Sequence, residues 1–401
     1  MGLIVQKFGG SSVKNAERLF HVAKIVTDTY AKGNSVIVVV SAQGDTTDDL
    51  LEKAAEINPQ ASKREMDVLL NTGEMISISL LAMAIEKLGY PVISLTGWQA
   101  GFLSDSNHGN ARIRRINTER VENEIHKGNI VIVAGFQGLN RYDDLTTLGR
   151  GGSDTSAVAL AAALSADKCQ IFTDVDGVYT ADPRLVKTAR KIDEITYDEM
   201  LELATLGAQV LHNRSVEMAK KYSVNLEVVS SLENKPGTQI KEVVKVEKML
   251  IKGVARDNDV ARISVIGLPD QPGIAFRVFS LLSAKKINVD IILQSIGREG
   301  TKDISFTVSR SHRQQAVDLL NEVKESLGAK EILCDENISK ISIVGAGMQS
   351  NPGVASKMFE ALGEANINIQ MISTSEIKIS VLIDRKDSER ALSVVHDAFA
   401  I

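Results

Sequence analysis

The chain has 401 residues, of which 44% are hydrophobic and 24% charged, and its formal net charge is −5. That length exceeds one ordinary hydrophobic core and predicts two or three domains. The acidic balance argues against nucleic acid as a partner but leaves room for a local basic pocket, and without an 18-residue apolar run or an export leader no membrane partner is expected.

Along the first part, short β-branched runs alternate with helix-period segments. Strands are predicted at Leu3 to Phe8, Val36 to Val40, Pro91 to Leu95, Ile130 to Ala134 and Lys168 to Phe172. Helices are predicted at Ala16 to Tyr30, Lys63 to Leu88, Thr118 to Lys127 and Thr155 to Leu164. Near-continuous apolar strands separated by helices indicate an α/β domain with a mainly parallel sheet sandwiched by helices. Ligands of such sheets lie beyond the carboxyl ends of the strands, so the turns after Phe8, after Val40 and before Ser153 are expected to share one crevice. The domain is predicted to span 1–245, ending in the charged connector Lys241 to Lys248.

Two glycine turns carry the chemistry. Lys7 closes the first strand and is followed by Gly9, Gly10, Ser11 and Ser12, a pattern in which an ammonium and two free amides could neutralise phosphate oxygens. The second is Gly149-Arg150-Gly151-Gly152-Ser153-Asp154-Thr155, leading into an apolar helix. Its glycines allow close backbone approach, the helix start suits an anion, and Arg150 offers a planar fork for a carboxylate or phosphate. Neither a Gly-x-x-x-x-Gly-Lys-Ser/Thr loop nor a Gly-x-Gly-x-x-Gly turn follows a strand, which disfavours P-loop and nicotinamide enzymes. Cys169 and Cys334 show no Cys-x-x-Cys spacing, so buried thiols in a reducing, cytoplasmic compartment are expected.

An internal repeat follows. Ile263-Ser264-Val265-Ile266-Gly267 recurs as Ile341-Ser342-Ile343-Val344-Gly345, 78 residues later. Pro272-Gly273, Ile287-Asn288 and Ser295 recur as Pro352-Gly353, Ile367-Asn368 and Ser375, 80 residues later. Each copy reads as a βαββαβ α+β module, at 262–338 and 339–401. The second copy lacks its last strand, which leaves an unpaired sheet edge. The connector 246–261 holds a β-like stretch, Met249 to Ala255, that is expected to fill that place.

In order along the chain, Lys7-Phe8-Gly9-Gly10-Ser11-Ser12-Val13, Ser41-Ala42-Gln43-Gly44-Asp45-Thr46-Thr47, Gly73-Glu74, the Gly149–Thr155 turn and Thr173 to Arg184 resemble the motifs of an aspartokinase, an amino-acid kinase with C-terminal ACT repeats. The resemblance covers essentially the whole chain. It implies ATP-dependent phosphorylation of the L-aspartate side chain, the first step of lysine, threonine and methionine biosynthesis, with Mg2+ accompanying ATP. Phosphorylating a carboxylate needs no base, because that nucleophile is already ionised at neutral pH. By the resemblance Lys7 bridges phosphate oxygens, Phe8, Gly9, Gly10 and Ser11 cradle them, and Asp154 orients Lys7 or the hydration shell of Mg2+, unless it is simply a helix N-cap. Arg150 clamps the substrate α-carboxylate and Glu74 its amino group, with Ser41, Thr47, Gly151, Gly152 and Ser153 completing the pocket. Thr173, Asp174, Tyr179 and Arg184 contact the nucleotide, while Asp176-Gly177 and Asp182-Pro183 equally suit turns. Gln209 stands where many relatives carry a nucleotide-contacting lysine. His108 is given no proton-transfer role and His212 reads as a packing residue.

The ACT resemblance implies feedback by lysine, threonine or both. The first module offers Asp270, Gly273, Ile274 and Ala275, with Asn288, Asp290 and Gln294 on the next strand. The second offers Asn351, Pro352, Gly353, Val354 and Asn368, with uncharged Ser350 and Asn351 where the first has Asp270. A homo-oligomer, dimer or tetramer, through these modules is expected, and an internal start at Met249 would supply a separate regulatory subunit. The competing readings are a sister kinase for another carboxylate and a non-catalytic amino-acid sensor on the same scaffold; the length leaves no room for a fused dehydrogenase.

Overall fold

The computed structural model describes residues 2–206, 210–242, 251–295, 300–346, 348 and 351–401. It divides into two compact units, Met1–Tyr179 with Lys191–Glu247, and Thr180–Arg190 with Lys248–Ile401.

The first unit opens with β1 (Leu3–Phe8), α1 (Ala16–Ala31), β2 (Ser35–Val40), α2 (Thr46–Ile57), α3 (Lys63–Lys87) and β3 (Val92–Leu95). Next come β4 (Phe102–Ser104), β5 (Ile113–Ile116), α4 (Glu119–His126), β6 (Ile130–Ala134), β7 (Gln137–Leu139) and β8 (Leu145–Thr147). It closes with α5 (Gly152–Ala163), β9 (Lys168–Thr173), β10 (Glu194–Thr196), α6 (Tyr197–Thr205), α7 (Asn213–Lys221), β11 (Leu226–Ser230) and β12 (Thr238–Lys241). The main sheet has the order β10-β12-β11-β9-β1-β2-β6-β3. Among the described residues only its β11–β12 pairing is antiparallel, so the carboxyl ends of β9, β1, β2 and β6 lie along one edge. Val36 to Val40 and Ile130 to Ala134 are fully buried, as a sheet covered on both faces requires.

The helices start where their capping residues dictate. The Asn15 side chain accepts from the Arg18 amide at the head of α1, and Ser62 does the same for Glu65 at the head of α3. By length and composition α3 could cross a membrane, but Ile78, Leu81, Ala84 and Ile85 pack into the core with Val22 and Val26 of α1. A second, small sheet of order β5-β4-β7-β8 carries the loops around the Gly149 turn.

In the second unit β13 (Gly253–Asp257) precedes β14 (Ala261–Pro269), α8 (Ile274–Ala284), β15 (Ile292–Gln294), β16 (Thr301–Val308), α9 (Arg313–Glu322), α10 (Lys324–Leu327) and β17 (Glu331–Asp335). The second copy follows as β18 (Ile338–Val344), α11 (Val354–Glu364), β19 (Ile369–Thr374), β20 (Lys378–Asp384) and α12 (Ser388–Phe399). The two sheets have the orders β15-β16-β14-β17 and β13-β18-β20-β19. β13 thus pairs with β18, Gly253 opposite Val344, at the sheet position for which the second copy has no strand of its own.

Four findings differ from the sequence reading. The segment Thr180–Arg190, expected within 1–245, belongs to the second unit, where Ala181 and Val186 share a core with Ile251, Val254 and Val395. Asn288 and Asp290 precede β15 and only Gln294 lies on it, because that strand is three residues long. The single second helix of the βαββαβ pattern is, in the first module, split at Val323 into α9 and α10. Cys334 is exposed, because β17 is an edge strand, whereas Cys169 in central β9 is buried and burial pushes its thiol pKa up.

Candidate active site

The site grows from the carboxyl end of β1. Lys7 Nζ stands 2.7 Å from Asp154 Oδ1, and each side chain is 12% exposed. That oxygen, buried, has no hydrogen-bond partner of regular geometry among the described residues, so the link is an ion pair that a ligand can share. Asp154 lies in the first turn of α5, whose N-cap is Gly151 at φ +67° with no side-chain cap. The plain N-cap alternative for Asp154 is therefore not what the structure shows.

Glycine permits the close contacts here. A Cβ on Gly10 would stand 2.6 Å from the Ala42 carbonyl oxygen, and the Gly44 amide donates to the Gly10 carbonyl at 3.0 Å. The Ser41 amide donates to the Phe8 carbonyl at 3.1 Å, binding the two loops together. A Cβ on Gly9 would come 3.5 Å from Lys7 Nζ, which places the Gly9 backbone beside the ammonium.

Glu74 reaches the same loops from α3. A Cβ on Gly73 would approach the Ala42 Cβ to 2.8 Å, so glycine lets α3 lie against the loop after β2. Glu74 Oε1 accepts the Ala42 amide at 3.0 Å, whereas Oε2 is buried without a partner among the described residues. Burial pushes its carboxyl pKa up to about 7, against the opposing Ala42 hydrogen bond. A buried acceptor left open in this way costs roughly 1–3 kcal/mol and suits an incoming cation.

The remaining residues sort by place. Ser41 and Thr47 are half-buried beside the loop after β2, and Ser153 is buried against Gly135. Arg150 is exposed between Gly149 at φ +77° and Gly151. Thr173 ends β9; its carbonyl accepts the Ser231 amide at 2.7 Å and its hydroxyl donates to Asp174 at 3.1 Å. The Tyr179 hydroxyl donates to Asp176 Oδ1 at 2.7 Å, which raises the phenol pKa to about 12. Arg184 belongs to the second unit, 87% exposed and paired with Asp182 at 2.8 Å. Gln209, Met249 and Ser350 lie outside the described residues. His212 packs as expected, against Gly151, and caps α7.

Several polar residues buried around this site escaped the sequence reading, among them Asp67, Asn71 and Arg214. Asp67, Asn71 and Glu74 share one face of α3, and Arg214 of α7 is buried as well. The signal on α3 was there: polar side chains spaced by four and three on an otherwise apolar helix face.

In the modules, Gly273 and Gly353 cap α8 and α11 at φ +86° and +99°, with Ile274 and Val354 buried behind them. Ala275 follows at the start of α8, while Asn288, Gln294 and Asn368 are exposed. Asp270 pairs with Lys302 at 2.9 Å, and Asp290 with Lys340 at 2.5 Å. Both carboxylates are thus already engaged.

Comparisons with known proteins agree with this architecture. The Amino acid kinase family model matches residues 2–230, and the ACT domain model matches 263–323 and 341–399. The chain is 51% identical to the aspartokinase of Geobacillus stearothermophilus and 50% identical to aspartokinase 2 of Bacillus subtilis (strain 168), in both cases over 100% of this chain and 98% of the relative. The crystal structure of E. coli aspartokinase III in complex with aspartate and ADP matches with a TM-score of 0.82 at 25% identity, covering 99% of each chain. The chain belongs to the aspartokinase family: it is an aspartate kinase with ATP as co-substrate, an amino-acid kinase body and C-terminal ACT modules.

Proposed function

We propose that Lys7, Glu74, Arg150 and Asp154 form one phosphoryl-transfer site in which the side-chain carboxylate of L-aspartate attacks the γ-phosphorus of ATP, giving 4-phospho-L-aspartate and ADP. The reaction asks the protein to hold two anions in line and to stabilise charge during transfer. Lys7 supplies a positive charge between β- and γ-oxygens, backed by the amides of Gly9 and Gly10. Phe8 and Ser11 flank that cradle, and Thr173, Asp174 and Tyr179 contact the nucleotide. Glu74 Oε2 takes the substrate ammonium and Arg150 its α-carboxylate, with Ser41, Thr47, Gly151, Gly152 and Ser153 around them. Mg2+ fits as an ion held by phosphates and water, with Asp154 the carboxylate available to its hydration shell.

The observation that carries this reading is the Lys7–Asp154 pair, 2.7 Å apart at the meeting of a strand end and a helix start. The finer assignments extend it. Lysine, threonine or both inhibit through the ACT modules, at the helix starts of Gly273 to Ala275 and Gly353 to Val354. An effector ammonium directed at Asp270 or Asp290 has to displace Lys302 or Lys340. The enzyme works in the cytoplasm, at the first step of lysine, threonine and methionine biosynthesis. It is a homo-oligomer through these modules, with a separate regulatory subunit where Met249 serves as a start. Hydroxamate trapping of the acyl phosphate, with aspartate, glutamate or no substrate and with each effector, tests the reading. Trapping is expected with aspartate alone and to fall with lysine or threonine; equal trapping with glutamate would overturn it.

A further inference from the structure

Two buried side chains outside that catalytic set hold the loop that carries Arg150. Asp67, early in α3, is fully buried. Thr147 donates its hydroxyl to Oδ1 at 2.6 Å, and the Gly109 amide lies 3.1 and 3.0 Å from the two oxygens. His108 Nδ1 stands 2.8 Å from Oδ2. Arg214 approaches from α7: its Nη1 donates to the Leu148 carbonyl at 2.8 Å and its Nη2 to the Ala111 carbonyl at 2.9 Å. Burial lowers the guanidinium pKa, and Arg112 adds to that.

The acid and the base therefore grip the same two segments, 108–111 and 147–148. A third link joins these segments directly, from the Ala111 amide to the Thr147 carbonyl at 2.9 Å. A Cβ on Gly149 would stand 3.0 Å from Asn110 Oδ1, so the loop turns against that segment. Arg150 is the next residue and is itself exposed. Desolvating a carboxylate and a guanidinium is costly, and an apolar pair of equal volume would serve stability as well. Ionic side chains at this place instead fix the geometry of backbone groups that no apolar pair could orient.

We infer that Asp67 and Arg214 are positioning residues for aspartate binding: by pinning 147–148 to 108–111 they set where the Arg150 guanidinium stands. The inference rests on the assignment of Arg150 to the substrate carboxylate, a fork whose two parallel bonds tolerate little misorientation. A displacement of about 1 Å in such a group can cost on the order of a hundredfold.

The test is steady-state kinetics of D67N, R150A and the D67N/R150A pair, alongside ADP affinity by calorimetry. The amide introduced by D67N keeps an acceptor for Thr147 but turns its own hydrogens toward the Gly109 N–H. D67N is expected to raise the aspartate KM by about tenfold or more, with ATP KM and ADP affinity within about twofold of wild type. In the R150A background the same change should add less than about twofold, because the residue acts through Arg150. Equal loss for both substrates, or the full effect retained on R150A, overturns the proposal. R150A with a wild-type aspartate KM overturns the Arg150 assignment and the proposal with it; D67N with a wild-type aspartate KM beside a damaged R150A overturns the proposal alone. Should D67N not fold, T147V removes one donor to Asp67 at constant shape; a several-fold rise in aspartate KM is expected, and a wild-type value overturns the inference.

Discussion

Two lysines, one in each unit, face carboxylates in opposite ways. Among the described residues Lys7 meets a single carboxylate, Asp154, and Glu74 Oε2 on α3 has no partner. Lys340 on β18 is closed off, 3.1 Å from Asp257 of β13 and 2.5 Å from Asp290 of the first module. Burial pulls its ammonium pKa down, but the two carboxylates outweigh that and leave it raised. The first lysine has charge to offer a ligand, and the second has none. A close lysine–carboxylate contact therefore marks a site only where the surrounding valences are incomplete.

The contrast breaks most visibly at Lys7. K7A is expected to lower kcat by on the order of a thousandfold, as removal of a transition-state charge partner does, with aspartate KM changed far less. Single-turnover acyl-phosphate formation measures it. Wild-type turnover in K7A would make the two lysines equivalent and remove the basis of the comparison.

At Lys340 the effect should appear in stability instead. K340M leaves Asp257 and Asp290 facing each other without a cation. The expected loss is roughly 3 kcal/mol, the low end for breaking a buried pair, because solvent already reaches Asp290. Chemical denaturation of the full chain should show an earlier transition for the second unit, while kcat without effector stays within about twofold. A K340M enzyme of normal stability and collapsed kcat would invert the comparison.

What could be read from the sequence follows the same division between local and distant causes. Lys7, Arg150 and Asp154 sit at a strand end, a glycine turn and a helix start, where residue type and neighbours suggest a ligand, whereas Glu74, in the middle of α3, was singled out only through the Gly73-Glu74 motif of the resemblance. The vacant edge of the second module was legible too, since a missing strand leaves unpaired backbone, and the chain places Gly253–Asp257 there. The polar spacing on α3 was legible, but what Asp67 and Arg214 hold was not, because their partners are a hydroxyl, an imidazole and backbone groups up to 103 residues away. Thr180–Arg190 was assigned by adjacency to the first domain, yet Thr180 and Thr188 bond His396 of α12 through their hydroxyls. Three-residue strands such as β4, β7 and β8 carry too little alternation to be seen as a sheet.

The effect expected at Glu74 is comparable with that at Lys340, and its sign separates function from stability. Its pKa of about 7 in the folded chain lies above the ordinary 4.5 because the carboxyl is buried. The folded state thus binds a proton that the unfolded chain has lost, and this contribution is complete below about pH 4.5 and gone above about pH 7. Across that window the ligand-free enzyme should lose on the order of 3 kcal/mol from this group. E74Q cannot titrate, so its stability relative to wild type should rise as pH increases, even though the substitution is expected to damage aspartate binding. In wild type, kcat/KM for aspartate should climb through about pH 7 as the carboxylate forms, and E74Q should lack that limb. Urea midpoints of both proteins between those limits decide the matter. If the difference stays constant with pH, Glu74 is ionised throughout and its open oxygen is satisfied by water rather than kept for the substrate ammonium.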